Sequence, residues 1–390
     1  MAWTGIAAIL LPKGKTTHKT FRWPLNINDL ELSILSQDCD KKRLREIDVI
    51  IWDEASMIPK KALEIVDRTL QDLCFNKLPF GGKLLILGGD FRQIAPVIKS
   101  GSKSDIILQT IKYSTYWPLF KKLKLTKNMR SINDKFSSLL LDIGNGKIDK
   151  FIIPEEWKVD DICERMYKDI NKKSIINSII LTSHNEDVDK LNEKILKYIQ
   201  GTEHVYYSVD HATHRGVDQT DDNIYLDYPM EMLNSIRDGI PNHILKLKIN
   251  AIVMLLRNIS ISDGLCNGTR LVIKELYKYN IKAEIISGDK MGNIVFIPRI
   301  TLNTGENTTF PFILYRKQFP IKLAFVTTFN KAQGQSYENV GLYITKPLFT
   351  HGQLYVGLSR GTNPNNIFIE NKLENKDIIE NIVWNEILEN

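Results

Sequence analysis

Two apolar runs stand out early in the chain. Ile47, Val49, Ile50 and Ile51 form the first, and Leu84, Leu85, Ile86 and Leu87 the second. Each ends in a polar cluster, Asp53-Glu54 and Gly88-Gly89-Asp90. Short unbroken apolar runs bounded by turn residues predict buried strands of a parallel sheet. Between them Pro59 opens a helix in which Leu63, Val66, Leu70 and Leu73 recur at i, i+3 and i+4 and so share one face. Strand, crossover helix and strand make an α/β unit, and in an open α/β sheet ligands sit beyond the carboxyl ends of the strands. Both polar clusters are thereby placed at a site.

The pattern restarts at Ser178 to Thr182, an apolar run followed by Asn185 as a helix N-cap, Glu186 and Asp187 in the first turn, and Val188, Leu191 and Ile195 on one face. From Thr202 to Tyr228 the chain is polar and acidic, with Asp218, Asp221 and Asp222 close together, and reads as a solvated surface excursion. Residues 245 to 320 change character. Strand-like runs at Ala251 to Leu256, Arg270 to Leu276 and Ile294 to Ile300 are separated by Gly, Asn and Asp turns, as in a small inserted β-barrel. The α/β character returns at Leu323 to Thr328, and the last helical segment lies near Ile382 to Leu388.

A chain of 390 residues has room for two or three domains, and 43% hydrophobic with 25% charged residues fits an ordinary globular protein. No run approaches the roughly 20 apolar residues that cross a bilayer. The N-terminal MAWTGIAAILLPKGK lacks a leading basic region and a small-residue cleavage site, so it reads as strand and turn, not a signal peptide, and an intracellular protein is expected, in nucleus or mitochondrion if eukaryotic. Cys39, Cys74, Cys163 and Cys266 form no C-x-x-C pair, which argues against a zinc site or a disulfide framework. His211 and His214 form an H-x-x-H that no third ligand completes. A net charge of +6 permits a polyanionic partner without establishing one.

The chemistry lies in the two clusters. VIIWDEASM, Val49 to Met57, delivers adjacent carboxylates to a strand end, where Asp53 is suited to hold magnesium and Glu54 to orient and deprotonate an attacking water; the same pair would also serve as a helix cap. In GGDFRQIAPVI, Gly88 to Ile98, the glycines let backbone approach a ligand, Gln93 can hydrogen-bond a γ-phosphate or that water, and Asp90 and Arg92 can tie the site to neighbouring loops.

Together these segments resemble motifs II and III of the PIF (petite integration frequency) family of superfamily 1B helicases. The resemblance continues along nearly the whole chain. TGIAAILLPKGKTTHKTF, Thr4 to Phe21, looks like motif Ia, beside Pro24-Leu25-Asn26, where the family carries a short wedge. LTKNMR, Leu125 to Arg130, matches motif IV, and LTSHNEDVDKLNEKIL, Leu181 to Leu196, the first strand and helix of a second RecA-like domain. GLCNGTRLVI, Gly264 to Ile273, and VFIPRITL, Val295 to Leu302, are similar to the family's inserted barrel. FNKAQGQS, Phe329 to Ser336, and HGQLYVGLSRG, His351 to Gly361, match motifs V and VI.

The resemblance implies an α/β fold of two RecA-like P-loop NTPase domains: residues 1–130 with a wedge near 22–45, and residues 131–390 with a small β-barrel at about 245–320. It implies an ATP-dependent 5′-to-3′ DNA helicase using ATP and Mg2+, acting as a monomeric motor on single-stranded and forked duplex DNA in replication, repair, recombination or telomere maintenance. Arg130 and Arg360 fall where the family supplies arginine fingers, and Gly334 and Asp53 at the nucleotide. Thr4, His18, Asn330, Lys331 and Ser336 fall where it touches the single strand. Phe21 and Trp23 are open to two roles, base stacking or core packing.

One motif is missing. The phosphate-binding loop G-x-x-x-x-G-K-[ST] does not occur in the 390 residues; Gly14-Lys15-Thr16 imitates its end, but Ile9 stands where the first glycine belongs and Pro12 stiffens the turn. A truncated motor, with its first strand and phosphate loop ahead of residue 1, or a decayed mobile-element copy akin to Helitron helicases, is therefore expected. An inactive remnant that binds single-stranded DNA and a superfamily 1 RNA helicase stand as alternatives.

Overall fold

A computed structural model describes residues 1–8, 10–12, 14–23, 38–98, 101–126, 131, 133–168, 172–214, 228–236, 239–260, 262–305 and 310–389. The chain divides into two compact units. The first comprises Met1–Ile162, Ile180–Asn185 and Thr327–Asn390; the second comprises Cys163–Ile179 and Glu186–Val326.

In the first unit the two apolar runs pair as parallel strands, β1 (Val49–Trp52) and β2 (Leu84–Leu87), with Ile50 opposite Leu85 and Trp52 opposite Leu87. The connecting helix α1 (Lys60–Cys74) buries Leu63, Val66, Leu70 and Leu73 against them, as their spacing predicts. Each such side chain contributes roughly 1.5–3 kcal/mol of apolar burial. Pro59 takes the cap position ahead of the helix. The strands are not buried on both faces as expected: Ile50, Trp52 and Leu85 are covered, but Val49, Ile51, Leu84 and Ile86 are 45–58% exposed. α1 covers one face of the pair, and successive side chains on a strand point to opposite faces. A second, four-stranded sheet follows the order Val326–Thr328, Ser178–Thr182, Asn339–Ile344, Ile367–Asn371.

The N-terminal apolar stretch differs from the strand and turn read from the sequence. Gly5–Ala8 is one helical turn, in which Ala8 N–H donates to Thr4 O. Gly14-Lys15-Thr16 makes no phosphate cradle: Gly14 N–H donates to Leu11 O, Lys15 O accepts from Ala2 N–H, and Thr16 caps the five-residue helix Thr17–Phe21. Phe21 and Trp23 are core residues, stacked at 5.4 Å and buried. Pro24-Leu25-Asn26 lies outside the described residues.

The second unit holds a five-stranded antiparallel sheet in the order Ile294–Pro298, Asn280–Ile285, Arg270–Leu276, Ile252–Leu255, Ile321–Leu323. The stretch read as a surface excursion departs from that expectation, for it contains the strands His204–Tyr207 and Val209–His214. Val205, Tyr206, Tyr207, Val209 and Thr213 suit a pleated surface, and Asp210 points inward. Val209–His214 pairs with Phe312–Gln318, which sets Asp210 directly opposite Arg316. Both side chains are fully buried. Arg316 donates to both Asp210 oxygens at 2.6–3.0 Å and to the carbonyls of Leu233, Ile236 and Pro241 at 2.7–3.0 Å. His211 stacks on Tyr315 at 4.9 Å. Asp218, Asp221 and Asp222 lie outside the described residues.

Candidate nucleotide site

The polar ends of β1 and β2 meet. Asp53 follows Trp52, and its Oδ1 accepts the Glu54 N–H at 2.9 Å; a Cβ on Gly88 would lie 3.1 Å from that same oxygen. Ala55 N–H donates to Gly88 O at 2.8 Å, and a Cβ on Gly89 would meet Ala55 N at 2.7 Å. Gly89 is required by this backbone-to-backbone approach. Glu54 sits at φ 57°, ψ 48°, a left-handed conformation that costs a non-glycine residue roughly 1–2 kcal/mol. Non-glycine residues are held there where the surroundings dictate it, commonly at functional sites.

A second set of residues converges on this corner from the C-terminal part of the unit. Gly334, at φ 76°, is packed so that a Cβ would lie 3.2 Å from Glu54 Oε1. Gln333 is 4% exposed, and its Nε2 donates to Ile94 O at 3.4 Å. Among the described residues its buried Oε1 has no hydrogen-bond partner, and the same holds for Gln93 Oε1 and Ser56 Oγ. Buried polar atoms without partners are costly, and three of them lie on the segments around this corner.

The helix α2 (Gln353–Ser359) carries the remaining contacts. Tyr355 Oη donates to Asp90 Oδ2 at 2.7 Å. Burial, then the Asp90 charge and that hydrogen bond, push the phenol far above its ordinary range, so it stays protonated. His351 bridges two segments: Nδ1 accepts the Trp384 N–H at 2.9 Å, which leaves Nε2 to donate to Phe91 O at 2.8 Å. Burial lowers its pKa, in keeping with this neutral tautomer. A Cβ on Gly352 would stand 2.4 Å from Arg92 O. Asp90, Phe91 and Arg92 are therefore held against α2 and the two residues before it. Replacing Tyr355 with Phe removes one charge-assisted bond from a partly solvated carboxylate and should cost about 1–2 kcal/mol in denaturant unfolding; an unchanged midpoint would deny the clamp any weight.

Arg360 closes α2 with its guanidinium buried, donating to Val356 O, Gln335 O and Ser359 Oγ at 2.8–3.0 Å. In this structure it ties the Gln333–Ser336 segment to α2. Thr4 accepts the Ala7 N–H, and His18 packs on Trp3 at 4.7 Å. Asn330 and Lys331 occupy the 3-10 turn Phe329–Ala332, with Lys331 and Ser336 exposed. Arg130 lies outside the described residues. Of the sequence-derived residues, Asp53, Glu54, Gln93 and Gly334 belong to the segments that meet at this corner, and Arg360 is linked to it through Gln335. Sequence reasoning quoted the segments holding Gln333, His351 and Tyr355 but gave those residues no role.

Family models match two segments of the chain. The model described as PIF1-like helicase matches residues 1–152, and that of the DNA helicase Pif1 2B domain matches residues 231–276. The chain belongs to the PIF1-like helicase family. Among PIF1-like relatives, the ATP-dependent DNA helicase PIF1 of Xenopus laevis is 28% identical over 80% of this chain, which spans 45% of that protein. The ATP-dependent DNA helicase Pif1 of Bdellovibrio bacteriovorus is 27% identical over 96% of this chain, which spans 80% of that protein. Bacteroides Pif1 bound to ssDNA superposes with a TM-score of 0.73 at 24% identity, covering 100% of this chain and 85% of that one. Candida albicans Pif1 gives 0.68 at 24% identity, with 100% and 86% covered. The fold is thus the mixed α/β fold of these helicases, with two RecA-like domains. No helix among the described residues is long and apolar enough to cross a membrane.

Proposed function

We propose that the chain is the motor region of an ATP-dependent DNA helicase moving 5′ to 3′, with residues 1–130 in the first RecA-like domain and 131–390 in the second, the latter carrying an inserted barrel at about 245–320. The observation that carries this reading is the meeting of Asp53-Glu54, loop 88–94 and Gln333-Gly334 at one corner, with buried acceptors left over for a ligand.

The residues fit a magnesium nucleotide on one side. Asp53 offers the hard carboxylate oxygen that magnesium prefers, while the bound metal would neutralise charge on the phosphates. Glu54 takes a proton from the attacking water, and Gln93 and Gln333 fix that water or the γ-phosphate through their amides. Arg360, and Arg130 with it, neutralise the charge that spreads over the transferring group. The cradle for the β- and γ-phosphates calls for amides and a lysine in a loop that these 390 residues do not contain.

Strand contact falls to Thr4, His18, Asn330, Lys331 and Ser336, on single-stranded or forked DNA. Affinity for a single strand, measured by anisotropy, should fall as salt rises from about 50 to 200 mM, because released counterions drive phosphate binding. Duplex should bind more weakly. Salt-independent affinity, or none at low salt, would count against a DNA motor, and tighter binding to RNA of the same sequence would move the substrate to RNA.

A further inference from the structure

In the second unit the strands Arg270–Leu276 and Asn280–Ile285 are joined by a tight turn, closed by Tyr277 N–H donating to Asn280 O at 3.1 Å. Tyr277, Lys278, Tyr279 and Asn280 line, with Phe296, an open groove of about 350 Å3. Its rings face solvent: Tyr279 is 69% exposed, Phe296 56% and Tyr277 45%. The fold does not need them there. The sheet's core is built from the opposite face, where Ile273, Ile281, Ala283, Ile285 and Ile297 are fully buried, while Phe296 is held in place by strand pairing opposite Lys282.

Charge on this hairpin is mostly spent. Lys274 pairs with Glu284 and Lys282 with Glu275, each at 2.6 Å. Lys278 has no ion pair among the described residues and lies over the Tyr279 ring at 5.1 Å. The hairpin tip lies past residue 276, beyond the segment matched by the 2B-domain model.

We propose that this groove is a second binding site for single-stranded nucleic acid, taking one base against Tyr279 and Phe296 while Lys278 meets the adjoining phosphate. Exposed π-faces accept any base, and a nearby cation suits the backbone. A protein partner needs about 800 Å2 of surface on each side, far more than a one-base groove offers. The proposal rests on the nucleic-acid reading above.

The test uses chain 1–390 and two fluorescent probes of equal length, a short oligothymidylate and an abasic strand with the same backbone. Tyr279→Ala and Phe296→Ala should each weaken oligothymidylate binding about tenfold, the scale of one stacked base. Tyr279→Phe should keep wild-type affinity, and none of the three should change binding to the abasic strand. Lys278→Ala should weaken both strands and lower the salt slope by about one. If both alanine variants match the wild type while Lys331→Ala binds more weakly, the helicase reading stands and the groove is overturned. The groove is equally overturned if the alanine variants change only the sedimentation of the protein, as a self-association surface would. If the wild type binds neither strand, the nucleic-acid reading fails and the groove with it.

Discussion

Glu54→Gln should lower ATP turnover about a thousandfold while leaving nucleotide affinity nearly unchanged. The experiment calls for a version of the chain preceded by a G-x-x-x-x-G-K-[ST] segment. The 390 residues alone have nothing to cradle β- and γ-phosphates and should release no phosphate above background, with or without single-stranded DNA. Glutamine keeps the size of Glu54 and the fit of Gly334 against it, but it cannot accept a proton from water. The loss therefore belongs in kcat and not in binding, equivalent to about 4 kcal/mol of transition-state stabilisation. Phosphate release under saturating ATP, paired with binding of a fluorescent nucleotide, separates the two quantities. Near-normal kcat would remove Glu54 from the chemistry, and hydrolysis by the 390 residues alone would reveal a different phosphate site.

The largest effect on stability is expected at Arg316. Arg316→Met leaves the Asp210 carboxylate buried without its cation, and breaking a buried pair from one side costs roughly 3–5 kcal/mol. Guanidinium unfolding followed by circular dichroism reads this directly. Replacing both partners with apolar residues should recover only part of the loss, because the carbonyls of Leu233, Ile236 and Pro241 would still lack their donor. A single substitution costing less than about 1 kcal/mol would mean that the network is far more hydrated than its burial indicates.

These two sites differ in how far they could be read from residues alone. Asp53 and Glu54 were legible because an apolar run and a helix of regular period fix where a parallel strand ends. Val188, Leu191 and Ile195 likewise all proved buried. An apolar run does not say which faces are covered, and Val49 and Ile51, expected to be buried, are exposed. Asp210 and Arg316 are 106 residues apart in the chain, and without the register of their strands an acidic polar stretch reads as solvated. Gln333, His351 and Tyr355 sit inside segments already singled out. What marks them out is an unsatisfied amide oxygen or a partner more than two hundred residues away, and neither can be seen in one dimension.

The left-handed backbone at Glu54 sets foldability against turnover. Glycine would occupy φ 57° without a Cβ clash, so a search for better-folding variants of this chain would be drawn to that position. Such a gain, on the order of 1 kcal/mol, would come only with loss of the carboxylate against which Gly334 is packed. Selection for thermal tolerance and selection for motor activity would therefore diverge at this one residue, and which of the two residues a related chain carries there would show which pressure it has been under.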